Sequence, residues 1–451
     1  MPDPEEILKK YARPVPRYTS YPTAPHFQQG LGEAILPETV AAATNGERIS
    51  AYMHIPFCDR LCWFCACHTK QTQRYDPVAA YVGSLVNEIG LYRNRLSQKP
   101  ALEHLHLGGG SPSLLKHEDF ARIAEALETA FAIDGETEIS IEIDPNDHGA
   151  DLLSGMKRLG VTRASIGVQD FDPVVQEVIN RPQSFEQTRD LLLAVRSLGI
   201  ESVNIDALYG LPLQTMERLE NTIAGVISLS PERVALFGYA HVPWMKKHQT
   251  LIREDDLPGP LERFRQAQRA EALLVEAGYV KIGIDHFARP GDSLARAAQA
   301  GTLGRNFQGY TTDRCETMIP LGASAIGRSP SGYLQNLVPT GQYRTSVDNG
   351  KLAVAKGYRF TPDDLLRAHV IERLMCDFEF RFGQLAEQFG GLGQSLAEEA
   401  RLIARDDEDG LCEASDEAFR ILPQARPFAR IVASWFDAHM RESSFQYSRA
   451  V

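Results

Sequence analysis

Six short β-prone runs recur along the first half of the chain: SAYMHIP (residues 50–56), LEHLHL (102–107), EISIEI (138–143), RASIGV (163–168), SVNIDALY (202–209) and VALFGYA (234–240). Amphipathic helical segments separate most of them. In one, Phe120, Ile123, Leu127 and Phe131 fall on a single stripe. Another begins with Ser184 and Gln187 in capping-box spacing and stops at a glycine. Six βα units in succession require a parallel sheet with crossover helices, which makes the fold class α/β. Eight units close a standard barrel, so the expectation is an open, partial (βα)6 TIM-like barrel. A further apolar run, YVKIGI (279–284), is a candidate edge strand.

From Thr361 the pattern becomes helical. Thr361 is a good N-cap, Pro362 suits the first helical position, and Asp363 and Asp364 complement the helix dipole. The stretch DGLCEASDEAFRILPQA (409–425) reads as a small hairpin among these helices, and a winged helix is one reading of the tail. The expected division is an N-terminal arm over 1–47, the partial barrel over 48–290, a barrel extension and connecting segment over 291–360, and a mostly helical C-terminal domain over 361–451.

The net charge of −12 argues against nucleic-acid and anionic-membrane partners, and the acidic, polar start MPDPEEILKK does not read as a secretory signal. No apolar run approaches bilayer-spanning length. The expected location is the cytoplasm, where thiols stay reduced and structural disulfides are disfavoured.

Against that background the cysteines stand out. Four of seven lie within HIPFCDRLCWFCACH (54–68): Cys58, Cys62, Cys65 and Cys67. Cys315, Cys376 and Cys412 are scattered, and buried filler is their default reading. One loop offering three thiolates suits an iron–sulfur cluster with one iron left open, whereas a structural zinc site commonly draws four ligands from two separated pairs. Cys67 could be a fourth ligand, a redox thiol or filler. In parallel βα folds the site lies at the C-terminal ends of the strands. Those positions hold Cys58, the triplet Gly108–Gly110, Glu142, Asp144, Gln169, Asp170, Asp206 and His241. The glycine triplet by itself is equally compatible with a tight turn.

The C-x3-C-x2-C spacing, with Phe64 just before the third cysteine, resembles the signature of radical S-adenosylmethionine enzymes. Within them, PRYTSYPTA (16–24), YMHIPFCDRLCWFCAC (52–67), HLGGGSPS (106–113), IEIDP (141–145), IGVQDF (166–171), VNIDALYGLP (203–212), YAHVP (239–243), DHFARP (285–290) and RNFQGYTT (305–312) resemble the oxygen-independent coproporphyrinogen III oxidases. Ser111 stands where threonine is usual, and Trp63 and Ala66 where tyrosine and glycine are common. None of these departures removes a chemical function.

The resemblance implies that Cys58, Cys62 and Cys65 bind a 4Fe-4S cluster, whose electron cleaves S-adenosylmethionine to a 5′-deoxyadenosyl radical. It implies two S-adenosylmethionine molecules. Tyr52, Gly109, Glu142, Ala240 and Ile326 would line the first; Phe64, Gly110, Ser111, Gln169, Arg181 and Asp206 would line the second. Core packing is an alternative for Ala240 and Ile326, a surface ion pair for Arg181, and loop capping for Glu142 and Asp206. The implied reaction converts two propionates of coproporphyrinogen III to vinyl groups, with a reduced flavodoxin or ferredoxin as donor and a monomeric enzyme. A haem-binding chaperone of the same barrel and a winged-helix regulator are the competing classes. Arg17, Arg289, Arg305 and His241 are candidates to hold the substrate carboxylates, structural ion pairs being the alternative for Arg289 and Arg305. Tyr18 and Tyr21 are expected to fold over the macrocycle.

Overall fold

The computed structural model describes residues 4–11, 13–45, 48–440 and 447. The six predicted runs form strands β1 (Ile49–Ile55), β2 (Leu102–Gly109), β3 (Glu138–Ile143), β4 (Arg163–Gln169), β5 (Ser202–Tyr209) and β6 (Arg233–Gly238). Each pairs in parallel with the next. Long helices follow in turn: α1 (Asp76–Arg93), α2 (His117–Ala130), α3 (Ala150–Leu159), α4 (Phe185–Ser197), α5 (Met216–Leu229) and α6 (Pro260–Glu276). Both halves of the Ser184–Gln187 capping box form at the start of α4.

The barrel stays open. β1 pairs outward with Met318–Leu321, and β6 pairs outward with His286–Ala288, which in turn pairs with Val280–Ile282. The YVKIGI run therefore does supply the edge strand. On the β1 side the sheet runs on through Ile326–Ser329, Gly332–Asn336, Val354–Arg359 and Gln28–Gln29, thirteen strands in all. The strand pattern missed this flank because its members are short and interrupted by glycine.

Along the barrel strands burial alternates. On β3, Ile139, Ile141 and Ile143 are buried, while Glu138, Ser140 and Glu142 are only partly so. The isoleucines join a core with Phe120, Leu127, Leu152 and Ile223 from the helices. The other face carries His106, Ser140, Ser165, Asn204 and Asp206 into the barrel interior, since successive strand side chains point to opposite faces. A standard closed barrel fills this space with branched apolar side chains; here polar groups line it.

A second core joins the two ends of the chain. Ile7, Leu8, Tyr11, Val15, Tyr18 and Tyr21 pack with Leu366, Val370, Leu374, Phe380, Phe419, Phe428 and Phe436. The tail runs helix Pro362–Cys376, strand Glu379–Arg381, helix Phe382–Arg405, then the expected hairpin Cys412–Ala414 with Ala418–Ile421. Gly390 (φ 56°, ψ −130°) breaks the long helix in two, in a conformation that glycine adopts without steric cost. The order helix, strand, helix, helix, strand, strand is that of a winged helix. Tyr18 and Tyr21 are each only 4% exposed inside this core, so the expectation that they cover a macrocycle is corrected. Their rings serve packing against the tail. No helix among the described residues is long and apolar enough to cross a membrane.

Candidate active site

The cysteine loop leaves the end of β1 and is closed at its base by Phe57–Cys58 pairing with Lys70–Gln71. Its main chain is then held from two sides. From the segment after β4, Ile179 O accepts from Trp63 N–H at 3.0 Å and the Asn180 amide donates to Leu61 O at 2.9 Å. From the segment after β6, the Gln249 amide donates to Phe64 O at 2.8 Å and Lys246 Nζ to Cys67 O at 2.8 Å, while His248 Nε2 lies 2.7 Å from Cys65 O. Asn180, Lys246, His248 and Gln249 were not picked out from the sequence. The polar run KKHQ after YAHVP was the available signal.

All three candidate ligand cysteines are free thiols. Burial raises Cys58 to about 11, partly countered by hydrogen bonds from Thr69 and Ser111. Burial also raises Cys62, which the Arg181 guanidinium opposes. Cys65 is pulled down by the thiol and N–H of Cys67, whose own thiol is pushed up. Cys62 and Cys65 both act on the ionisation of Cys58, and Cys65 on that of Cys62, so the trio is close. Among the described residues no three His, Cys, Asp or Glu groups converge tightly enough to hold a single metal ion. Three free thiols on one clamped loop remain a fitting donor set for an iron–sulfur cluster.

The glycine triplet runs beside this loop. Gly110 N–H donates to Ile55 O at 2.8 Å and Ser111 N–H to Phe57 O at 2.7 Å. Gly109 has φ 116°, and a Cβ there would come within 2.6 Å of the His54 ring. A Cβ on Gly110 would overlap the Phe57 carbonyl. Gly110 is thus required by close backbone approach, and Gly109 by its positive φ and the His54 ring, which leaves a cradle at the mouth of the barrel.

Glu142 Oε2 accepts from Gly109 N–H at 3.0 Å, and Oε1 lies 3.3 Å from His106 Nε2. Burial opposes its charge, but His106 and Gly109 outweigh burial and keep the carboxyl below its ordinary range. Tyr52 stacks on His106 at 5.9 Å and its hydroxyl is 2.9 Å from His54 Nδ1. Asp206 accepts from Asn204 at 2.7 Å and Ser165 at 3.1 Å, and is raised to about 6 by burial and then by Glu142.

Arg181 donates to Gly167 O at 2.6 Å and reaches Asp144 at 2.9 Å and Cys62 Sγ at 3.3 Å. Gln169 sits beside it on a β-bulge with φ 70°, an unusual conformation for a non-glycine residue at a strand end. Ala240 shares the Gln249 amide with Phe64, at 3.3 Å from its carbonyl. Met318 opposite Arg328 sets Ile326 opposite Pro320, which pairs with Tyr52. Asp170 differs from its neighbours: it is fully buried and hydrogen-bonded to Gln214 and Thr222, so it braces the strand ends and does not face the mouth.

Beside the β6 end of this site opens a cavity of about 1040 Å³, lined by Ala240, His241 and Trp244 and by Arg17, Arg305 and Arg430. Of the four residues suggested for substrate carboxylates, Arg17, Arg305 and His241 line it. Arg289 instead lies over the Tyr279 ring at 4.0 Å and donates to Ala277 O, a structural role.

The Radical SAM superfamily profile matches residues 52–224. A relative from Paracoccus denitrificans, named oxygen-independent coproporphyrinogen III oxidase, is 46% identical over 96% of this chain and 96% of its own. One of the same name from Bradyrhizobium diazoefficiens is 44% identical over 97% of each. A solved structure of coproporphyrinogen III oxidase from Escherichia coli, described as a radical SAM enzyme, superposes with a TM-score of 0.89 at 36% identity, over 94% of this chain and 97% of that one. Near-complete coverage at this identity, together with the thiol loop and glycine cradle at the mouth of an open (βα)6 barrel, places this chain among the oxygen-independent coproporphyrinogen III oxidases of the radical SAM superfamily.

Proposed function

We propose that this chain oxidatively decarboxylates two propionate side chains of coproporphyrinogen III to vinyl groups, giving protoporphyrinogen IX for haem biosynthesis, with Cys58, Cys62 and Cys65 as the cluster ligands. The observation that carries the reading is the near-full-length identity to relatives of that name. When bound, the 4Fe-4S cluster and S-adenosylmethionine supply hydrogen abstraction from an unactivated carbon, which acid–base side chains cannot achieve.

The chain's own residues bind, orient and shield. Glu142, kept anionic, offers a carboxylate to the methionine ammonium, and the Gly109–Ser111 cradle lets main chain approach the nucleotide closely. Tyr52, Ala240 and Ile326 complete this first set. Arg181 holds the cysteine loop against β3 and β4, beside Phe64, Gln169 and Asp206 of the second. For each propionate, loss of one hydrogen from the β-carbon and of carbon dioxide leaves a vinyl group, with one further electron passed to an acceptor. The loop is exposed at Cys67, which gives a reduced flavodoxin or ferredoxin a short approach. A monomer in the cytoplasm, divided into the four segments given above, completes the reading.

The test is anaerobic reconstitution with iron and sulfide, then reduction in the presence of S-adenosylmethionine and coproporphyrinogen III. The expected products are 5′-deoxyadenosine, methionine and a tetrapyrrole lighter by two carbon dioxide and two hydrogen molecules. Tight haem binding with no decarboxylated product would overturn the reading in favour of the chaperone.

A further inference from the structure

Three segments far apart in the sequence bring guanidinium groups to the cavity beside β6: Arg17 from the arm, Arg305 from the strand Gly304–Asn306 and Arg430 from the last described helix. Two of them also hold the arm's main chain. Arg430 donates to Pro16 O at 3.1 Å and Val15 O at 2.7 Å, and Arg305 donates weakly to Arg17 O at 3.4 Å. The Arg17 side chain is different: among the described residues it donates to Gly238 O at 3.1 Å, and it lines the cavity.

Among the described residues, the carboxylates that line this cavity lie beside other groups. Lys281 is matched by Glu271 at 2.6 Å, and Glu254 lies beside His241. Asp285 is the carboxylate that faces the guanidiniums, and its Oδ1 is 3.9 Å from Arg305 Nη1, too far for a hydrogen bond, while it sits 2.7 Å from His286 Nδ1. Arg305 is 4% exposed at its side chain, and its Nε and Nη1 have no hydrogen-bond partner among the described residues. Burial lowers Arg17, against Asp285 and with Arg305, and burial with repulsion from Arg17 and Arg305 lowers Arg430 to about 9, while Tyr310 and Asp285 outweigh burial and keep Arg305 raised. All three remain charged at neutral pH, so the fold gathers three guanidinium groups around a polar, concave space. An anion entering there relieves that repulsion and gains charge-assisted hydrogen bonds.

We propose that Arg17 and Arg305, with Arg430 behind them, form a carboxylate site that anchors a propionate of the tetrapyrrole in the cavity beside β6. The proposal rests on the function proposed above, and it names the substrate groups that this site recognises. None of the three cluster thiols lines the cavity, whereas Ala240 and Trp244 link it to the loop that clamps them. A propionate held by the arginines therefore orients the macrocycle, and a different propionate is presented to the reacting end. Arg17 and Arg305 act as positioning residues.

The test separates binding from turnover. Fluorescence titrations of the full-length protein use coproporphyrin III, the oxidised tetracarboxylate, alongside its tetramethyl ester. The wild type is expected to bind the acid about tenfold or more tighter than the ester, the scale of one charge-assisted contact. Arg17→Gln is expected to lose that preference with little change in melting temperature, because the Arg17 side chain gives the fold one exposed hydrogen bond, to Gly238 O. Arg17→Lys is expected to recover part of it, and Arg305→Gln to repeat the loss. Equal binding of acid and ester by the wild type, or an unchanged preference in both Gln variants, would overturn the site. A wild type that prefers the acid but makes no decarboxylated product would leave the site standing and remove the reaction.

Discussion

Nη1 of Arg181 lies 2.9 Å from Oδ2 of Asp144, and the two side chains are only 11% and 14% exposed. The same nitrogen reaches Cys62 Sγ, so one guanidinium ties the end of β3, the backbone of β4 and the cysteine loop together. Removing it strands a buried carboxylate, which costs about 3–5 kcal/mol. Arg181→Ala is expected to lose stability of that order in urea unfolding of the apoprotein and to take up less iron on reconstitution. Arg181→Lys, which keeps a charge without the planar fork, is expected to fall between. Wild-type unfolding by the alanine variant would show that the pair contributes little.

The arm makes a second buried contact with the tail, where Tyr18 Oη donates to Asp437 Oδ2 at 3.0 Å. Both residues are buried, 4% and 6% exposed. Tyr18→Phe keeps the ring in its core and leaves the carboxylate short of one donor, a loss of about 1–3 kcal/mol. Thermal unfolding is the measurement. Because the contact lies away from the cavity, the expected kinetic effect at low temperature is small. A large drop in turnover with unchanged melting would instead return Tyr18 to the substrate.

How far the sequence carried these inferences depended on whether the relevant contacts are local. Cys58, Cys62 and Cys65 sit on one loop, so their chemistry is written in their spacing, and Gly109 and Gly110 follow a strand whose pattern locates them. Arg430 was invisible because it looks like any polar position in an amphipathic helix and meets Pro16 only through the fold. Tyr18 was misread for a related reason: an aromatic side chain suits a hydrophobic core as well as a flat ligand, and composition does not distinguish them. Arg289 and Arg305 looked alike in sequence and each lies over a tyrosine ring, Tyr279 and Tyr310, yet only Arg305 lines the cavity. The hairpin Ile326–Ser329 with Gly332–Asn336 had a readable turn in its Pro330–Ser331 link, which the search for βα units passed over.

Gly110 allows a direct test of the cradle. Its Cβ would overlap the Phe57 carbonyl, so Gly110→Ala must push the loop away from the cysteine strand. Overpacking of this kind costs about 1–3 kcal/mol. The expected outcome is S-adenosylmethionine binding weakened by about tenfold in equilibrium dialysis of the reconstituted protein, with iron content retained. Gly341→Ala is the control, since a Cβ there meets nothing within 4 Å and lies in a helix. If both variants bound the nucleotide like wild type, the triplet would be a turn and nothing more.

Glu88 gives a pH dependence whose sign is fixed by its surroundings. It is fully buried, accepting from Gly322 N–H at 2.6 Å, Tyr343 Oη at 2.7 Å and Asn336 Nδ2 at 2.8 Å. Burial outweighs these donors and raises it from 4.5 to about 7. A group whose proton is held more tightly in the folded state contributes stability that is complete below its unfolded value and is lost as pH climbs to the folded one. The loss therefore falls between pH 4.5 and about 7 and totals about 3 kcal/mol. Glu88→Gln has no proton to lose. Between pH 5 and pH 8, urea unfolding of the wild-type apoprotein is expected to fall by about 2–3 kcal/mol more than that of the variant. Parallel slopes would mean that the three donors, and not burial, set the ionisation of this carboxylate, and that Gly322 and Asn336 clamp the β1 flank through an ordinary charge.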